Sequence, residues 1–200
     1  MKEMKMEGTK RTLVVNLFAG PGTGKSSTMG SLFSELKWRN INCDMAPEYA
    51  KEIVWTDTPV DLDENECKPK FNKLMDQKYI FGKQQHRVRR LDGKVDVIIT
   101  DSPILLSLLY GKDLSAAFKT NVRETHDEFY NLNIFLERKK PYHAKGRLQT
   151  ADEAKGLDVE LKEILESEGV PYVVFPGSKE SIDAMVEHII GILNGTIAHS

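Results

Sequence analysis

One segment limits this chain more than any other. Leu13-Val-Val-Asn-Leu-Phe18 is a short apolar run that passes directly into Ala19-Gly-Pro-Gly-Thr-Gly-Lys-Ser26. Met29, Leu32, Phe33 and Leu36 then recur every three to four residues. Apolar run, glycine turn and helical period, in that order, describe a strand, a tight loop and a helix. The eight residues from Ala19 to Ser26 follow the Walker A phosphate-loop pattern, with alanine where the first glycine usually stands. An ordinary Gly/Pro turn would not require Gly-Lys-Ser at that offset.

The chemistry accounts for the spelling. Polyphosphate oxygens must come close to the backbone, and Gly20, Gly22 and Gly24 permit that approach and the dihedrals it needs. The opening of the helix near Lys25 adds its positive dipole end. Lys25 is expected to reach the β- and γ-phosphates, and the Ser26 hydroxyl to ligate Mg²⁺. Gly20, Pro21, Gly22, Thr23, Gly24, Lys25, Ser26 and Ser27 are therefore expected to hold the phosphates of ATP.

Two hundred residues suit a single domain, here placed at 12–194 between short tails at 1–11 and 195–200. A net charge of -2 sets up no global field that demands a nucleic acid. Two cysteines, Cys43 and Cys67, are too few for a disulfide framework and lack metal-ligand spacing. The charged start carries no apolar signal core, and no run is long enough to span a bilayer. A cytoplasmic protein is expected (in the host cytoplasm if the chain is viral), with no membrane partner and an oligomeric state left open.

Further strands are expected over residues 41–45, 95–101, 132–136 and 172–175. Helices are expected over 25–39, 48–55, 70–91, 114–128, 151–168 and 181–193, with the apolar segment 103–109 packed under the sheet. The run Val95-Asp-Val-Ile-Ile-Thr-Asp101 suits a central parallel strand buried on both faces. Strands alternating with helices give an α/β chain: a three-layer α/β/α fold of the P-loop NTPase kind, around a parallel five-stranded sheet. Ligands in such sheets lie at the carboxyl ends of the strands.

Asp101 ends the buried strand, where an acid is costly unless something compensates for it. Mg²⁺ beside Ser26 would do so, and a helix cap at Asp101-Ser102-Pro103 is the other reading. Glu48 follows the second strand and faces the same crevice, where a carboxylate can take a proton from an attacking hydroxyl. It can equally be an exposed acid in a first helical turn, and Asp101 competes with it for the role of base. The stretch Lys68 to Lys94 is rich in basic residues, most of them read as a solvated helical face. Gln85 and Arg87 are the exceptions expected to touch the acceptor. Arg138 and Arg147 bracket a basic Gly/Pro-containing connection over about 137–150, suited to closing as a lid whose guanidiniums stabilise charge on the transferred group. His143 within it is read as a surface histidine. Gly177, in Pro176-Gly-Ser178, is placed to let the adenine lie against backbone, or is a plain turn.

The Walker A segment, Glu48-Tyr-Ala-Lys-Glu52, the Gln-containing helix, the strand ending Thr-Asp-Ser and the basic lid together resemble small P-loop kinases of the AAA_28 type. That group includes the nicotinamide-riboside kinase domain of bifunctional NAD-biosynthesis proteins. The resemblance implies ATP as donor, Mg²⁺, a lid carrying Arg138 and Arg147, and a nucleoside-type acceptor near Glu48 and Asp101. The chain is also similar to phage kinases of 5-hydroxymethyluracil in DNA, and the basic stretch from Lys68 to Lys94 makes DNA a possible partner. The expected activity is transfer of the γ-phosphate of Mg-ATP to a hydroxyl of a nucleoside or nucleotide, free or within DNA. A P-loop ATPase switch without a small-molecule acceptor is the alternative from another class.

Overall fold

The structure, a computed structural model, describes residues 11–57, 76–139 and 151–198. Five parallel strands form its centre: β1 (Leu13–Phe18), β2 (Cys43–Met45), β3 (Val97–Thr100), β4 (Tyr130–Glu137) and β5 (Val173–Pro176). Their order across the sheet is β2-β3-β1-β4-β5. Every residue of β1 and β3 is buried, because helices cover both faces of the sheet.

Alternation along β1 sorts the two layers. Leu13, Val15 and Leu17 point to one face, where they pack on Leu32 and Leu36 of α1 (Lys25–Trp38) and on Met185 and Ile189 of α7 (Ile182–Leu193). Val14 and Phe18 point to the other. There they meet α3 (Gln77–Arg89), α4 (Leu106–Tyr110), α5 (Ala116–Asp127) and α6 (Ala151–Ser167), through Phe81, Leu106, Val122 and Leu161 among others. Each such leucine or phenylalanine contributes about 1.5–3 kcal/mol relative to leaving it in water. The remaining helix, α2 (Tyr49–Asp57), leaves the end of β2 and leans on α3.

Three amides interrupt this apolar layer. Asn16 of β1 lies opposite Asn133 of β4 in the ladder. Its Nδ2 donates to Asn133 Oδ1 at 3.1 Å and to Asn131 Oδ1 at 2.9 Å. Asn131 Nδ2 donates in turn to the carbonyl of His126 at 2.6 Å, and Asn133 Nδ2 to that of Pro171 at 3.0 Å. The network is satisfied, as buried amides must be.

The sheet and most elements fall where the sequence puts them, and two details differ. Periodicity starts the third helix near residue 70, but the Asp76 side chain accepts from the Tyr79 amide at 3.1 Å and caps a helix that begins at Gln77. The cap side chain offers the backbone a local partner that ends the helix. The remainder of that expected helix, residues 70–75, lies outside the described residues. Nor does Asp101 cap a helix, since α4 starts five residues later at Leu106 and has no side-chain cap.

β1 sits where the chain changes direction across the sheet, with β3 on one side and β4 on the other. The crevice outside the carboxyl ends of β1, β3 and β4 is therefore where a ligand is expected.

Candidate active site

The loop after β1 leads straight into α1. Gly22 and Gly24 carry φ values of 86° and 106°, a region that side chains with a Cβ rarely occupy. Gly24 is the N-cap of α1 in the left-handed region, and no side chain caps the helix there. The first turn of α1 also holds no acid. A helix start left without a side-chain acceptor is suited to an anion. Lys25 and Ser26 open this helix, and Ser26 and the neighbouring Ser27 are exposed.

Gly20 has a different reason to be glycine. A Cβ there would stand 2.6 Å from the carbonyl oxygen of Ala154 and 2.6 Å from Asp158 Oδ1, both on α6. Its amide donates to Asp158 Oδ1 at 2.5 Å, which ties the loop to α6. Thr23 is buried, and its hydroxyl donates to the Gly20 carbonyl at 3.1 Å. Gly177, after β5, lies against the same loop: a Cβ on it would meet the Thr23 and Glu137 carbonyl oxygens at 2.9 Å.

Asp101, 2 % exposed, organises the crevice. One carboxylate oxygen accepts from the Ser26 hydroxyl at 2.5 Å, and the other from the Glu48 amide at 2.9 Å. A single buried acid thus ties the opening of α1 to the opening of α2. Lys25 Nζ lies on the loop's own carbonyls, 2.6 Å from Ala19 and 3.4 Å from Gly20. Desolvation lowers its pKa, while Glu48, Asp101 and Asp158 oppose the shift. Desolvation also raises the pKa of Glu48; Lys25 resists that rise and Asp101 reinforces it. Tyr110, at the end of α4 and 45 % exposed, has its hydroxyl pKa pushed up to about 12 by desolvation and by the charge of Glu48.

Gln84 holds the entry to α2. Its Oε1 accepts from the Tyr49 amide at 3.0 Å, and its Nε2 donates to the Ala46 carbonyl and to Thr100 Oγ1, each at 3.3 Å. The sequence favours its half-buried neighbour Gln85 over it, but Gln84, 3 % exposed, is the glutamine that reaches this segment. Arg87 donates to the Pro47 carbonyl at 3.1 Å, pairs with Glu52 and stacks over the Tyr49 ring at 4.9 Å. Its guanidinium braces the same segment. Arg89 pairs with Glu128. Two arginines of the basic stretch are therefore held by carboxylates.

Arg138 directly follows β4. Its Nε donates to Asp158 Oδ2 at 2.9 Å and its Nη1 to the Pro21 carbonyl at 2.9 Å. Asp158, the other residue the sequence reading missed, stands on the buried stripe of α6 between Ala154 and Leu161. A carboxylate on an otherwise apolar stripe is the signal that could have found it. Arg147, His143 and the expected lid over 140–150 lie outside the described residues, as do Lys68 and the stretch to residue 75. Among the described residues, no group of three or more His, Cys, Asp or Glu forms a metal cluster, and no helix is long and apolar enough to cross a membrane.

A parallel sheet ordered around a glycine loop, with Lys-Ser opening the next helix and an acid ending the neighbouring strand, defines a P-loop protein. The family model AAA_28, described as an AAA domain, matches residues 14–182, and the chain belongs to that family. Among solved structures, it is similar to the NadR protein in complex with NR, with a TM-score of 0.62 and 16 % sequence identity. That likeness covers 94 % of this chain and 53 % of the NadR chain, so this chain spans about half the length of its neighbour. It shows a shared fold. No curated protein matches the chain significantly.

Proposed function

We propose that this chain is a P-loop kinase that moves the γ-phosphoryl group of ATP, with Mg²⁺, to a hydroxyl of a nucleoside- or nucleotide-type acceptor. The observation that carries the reading is the Asp101 carboxylate bridging the Ser26 hydroxyl and the Glu48 amide beside Lys25. Family membership and a fold shared with a protein solved in complex with NR support it.

The residues present fit both groups. Gly22 and Gly24 have the backbone form of a phosphate cradle, and the uncapped start of α1 favours an anion. Ser26 and Asp101 are already oxygen to oxygen, the hard donor set that Mg²⁺ prefers. The metal ion, when bound, neutralises charge on the phosphates. Lys25 exchanges the carbonyls of Ala19 and Gly20 for phosphate oxygens, which offer its ammonium a charged partner.

Glu48 acts as the base. Its pKa, raised by desolvation, makes the carboxylate a better proton acceptor than an exposed glutamate. The acceptor hydroxyl gives its proton to Glu48, its oxygen forms a bond to the γ-phosphorus, and the bond to the β-γ bridging oxygen breaks to release ADP. Asp101 holds the Glu48 backbone in place. Arg138, with Arg147 from the lid, stabilises charge on the transferred group.

The deciding experiment incubates the protein with γ-labelled Mg-ATP and two acceptor classes, nicotinamide riboside and 5-hydroxymethyluracil-containing oligonucleotides, and follows label and mass. Label on the nucleoside, lost in Lys25→Ala with the fold retained, supports the proposal. Label on the oligonucleotide moves the acceptor into DNA. ATP hydrolysis that neither acceptor alters would replace the kinase with the ATPase switch.

A further inference from the structure

Two segments that the sequence separates widely meet at one carboxylate. Asp158 Oδ1 accepts the Gly20 amide at 2.5 Å, and Asp158 Oδ2 takes Arg138 Nε at 2.9 Å and Nη2 at 2.8 Å. Arg138 completes the circuit by donating to the Pro21 carbonyl at 2.9 Å and the Ala154 carbonyl at 3.4 Å. Both side chains are largely shielded, at 13 % exposed for Arg138 and 18 % for Asp158. An ion pair so placed is held in one geometry, unlike the mobile pairs of an open surface.

The approach is built into the backbone as well. Gly20 does not adopt positive φ, yet any side chain there would collide with α6 at Ala154 and Asp158. The glycine exists so that helix and loop can touch. Arg138 enters the stretch 140–150 and α6 leaves it, so Asp158 joins the two flanks of that stretch to each other and to the phosphate loop.

We infer that Asp158 is a positioning residue for phosphoryl transfer: it fixes the Arg138 guanidinium at the edge of the phosphate loop. The inference rests on the kinase reading for the role of Arg138. With the Nε edge held by Asp158, the Nη1 end of Arg138 is kept at the Pro21 carbonyl, on the loop proposed to hold the nucleotide phosphates. Orientation fixed before binding costs nothing at the moment of reaction.

The test is a double-mutant cycle on Mg-ATP binding, measured by calorimetry with wild type, Asp158→Asn, Arg138→Ala and the double variant. Asparagine keeps an acceptor for the Gly20 amide but turns an N–H₂ group or a neutral oxygen toward the guanidinium. Asp158→Asn is expected to weaken Mg-ATP roughly tenfold or more, the scale of losing a charged hydrogen bond. In the Arg138→Ala background, the same substitution should cost nothing further. A carboxylate that merely supports the fold would cost the same in both backgrounds, and that result, or wild-type affinity in Asp158→Asn, overturns the inference. Should the asparagine variant fold poorly, Arg138→Lys, which keeps the charge but cannot hold both the Asp158 carboxylate and the Pro21 carbonyl, is read in its place, and wild-type affinity there overturns the inference. Absence of Mg-ATP binding by the wild type removes the kinase reading and this inference together, whereas intact wild-type binding with an additive cycle removes the inference alone.

Discussion

Replacing Gln84 by methionine isolates the contribution of one buried side chain that touches no expected substrate. Methionine matches glutamine in length, so the core keeps its volume and only the amide is lost. The Tyr49 amide, at the start of α2 where no intrahelical acceptor exists, then loses the oxygen 3.0 Å away. Leaving such a donor unsatisfied costs about 1–3 kcal/mol. The two Nε2 bonds are worth less. At 3.3 Å they are long, the Ala46 carbonyl keeps the Thr100 hydroxyl at 2.7 Å, and Thr100 Oγ1 keeps the Ser102 amide at 3.2 Å. Allowing about 0.5 kcal/mol for each gives a total of about 2–4 kcal/mol. For a chain of this size, that lowers Tm by roughly 4–16 °C. The assay is thermal unfolding followed by circular dichroism, with Gln85→Met as the neighbouring control, expected to be near neutral. A Gln84→Met protein melting within about 2 °C of wild type, or no lower than Gln85→Met, would refute the account of how the entry to α2 is held.

Glu48→Gln should raise stability at neutral pH while lowering phosphoryl transfer. The folded-state pKa of Glu48 is raised, so its ionisation costs nothing below the unfolded value of about 4.3 and removes stability as pH rises through the folded value. Melting curves from pH 4 to 8 should therefore converge at the acid end and separate toward neutrality, and a variant that melts lower at pH 7 contradicts this. The acid limb of wild-type turnover should likewise lie above the ordinary glutamate range, checked by a pH–rate profile. Gly20→Ala should destabilise by about 1–3 kcal/mol, because its Cβ meets backbone of α6 at 2.6 Å. Gly30→Ala, inside α1 with nothing within 4 Å of the added carbon, should instead stabilise by about 0.5–1 kcal/mol. Chemical denaturation of the pair checks both signs, and like effects at the two glycines would dismiss the contact.

Much of the fold is legible in the chain because its signals are local. Val97-Ile-Ile-Thr100 reads as a strand covered on both faces, and the glycine loop with its helix reads from spacing alone. The parallel sheet follows from the alternation of elements. What escaped the reading is set by distance along the chain. Asp158 lies 138 residues from the Gly20 amide it accepts, and nothing near either residue announces the other. Gln84 and Gln85 differ in which face of α3 they occupy. The stripe of Ile80, Phe81 and Val88 assigns Gln84 to the core, but a search for exposed polar groups passes over it. Apolar spacing continues upstream of Asp76 and places the start of α3 too early, because a single capping carboxylate outweighs it. The cost of an acid ending a buried strand singles out Asp101, but nothing local to either residue shows that the Glu48 amide shares it.

The amides of Asn16, Asn131 and Asn133 have a consequence well away from where they sit. Sliding β4 along β1 by two residues would leave every apolar side chain on its own face, so oily contacts alone discriminate weakly against that error. The same slide would pull a sealed amide from its mate, at about 1–3 kcal/mol for each group stranded. It would also carry Arg138 about 7 Å along the strand axis, out of reach of Pro21. A trio of uncharged side chains thus works as an alignment pin: it sets how far two ribbons protrude, and so whether the guanidinium arrives level with the loop it must serve.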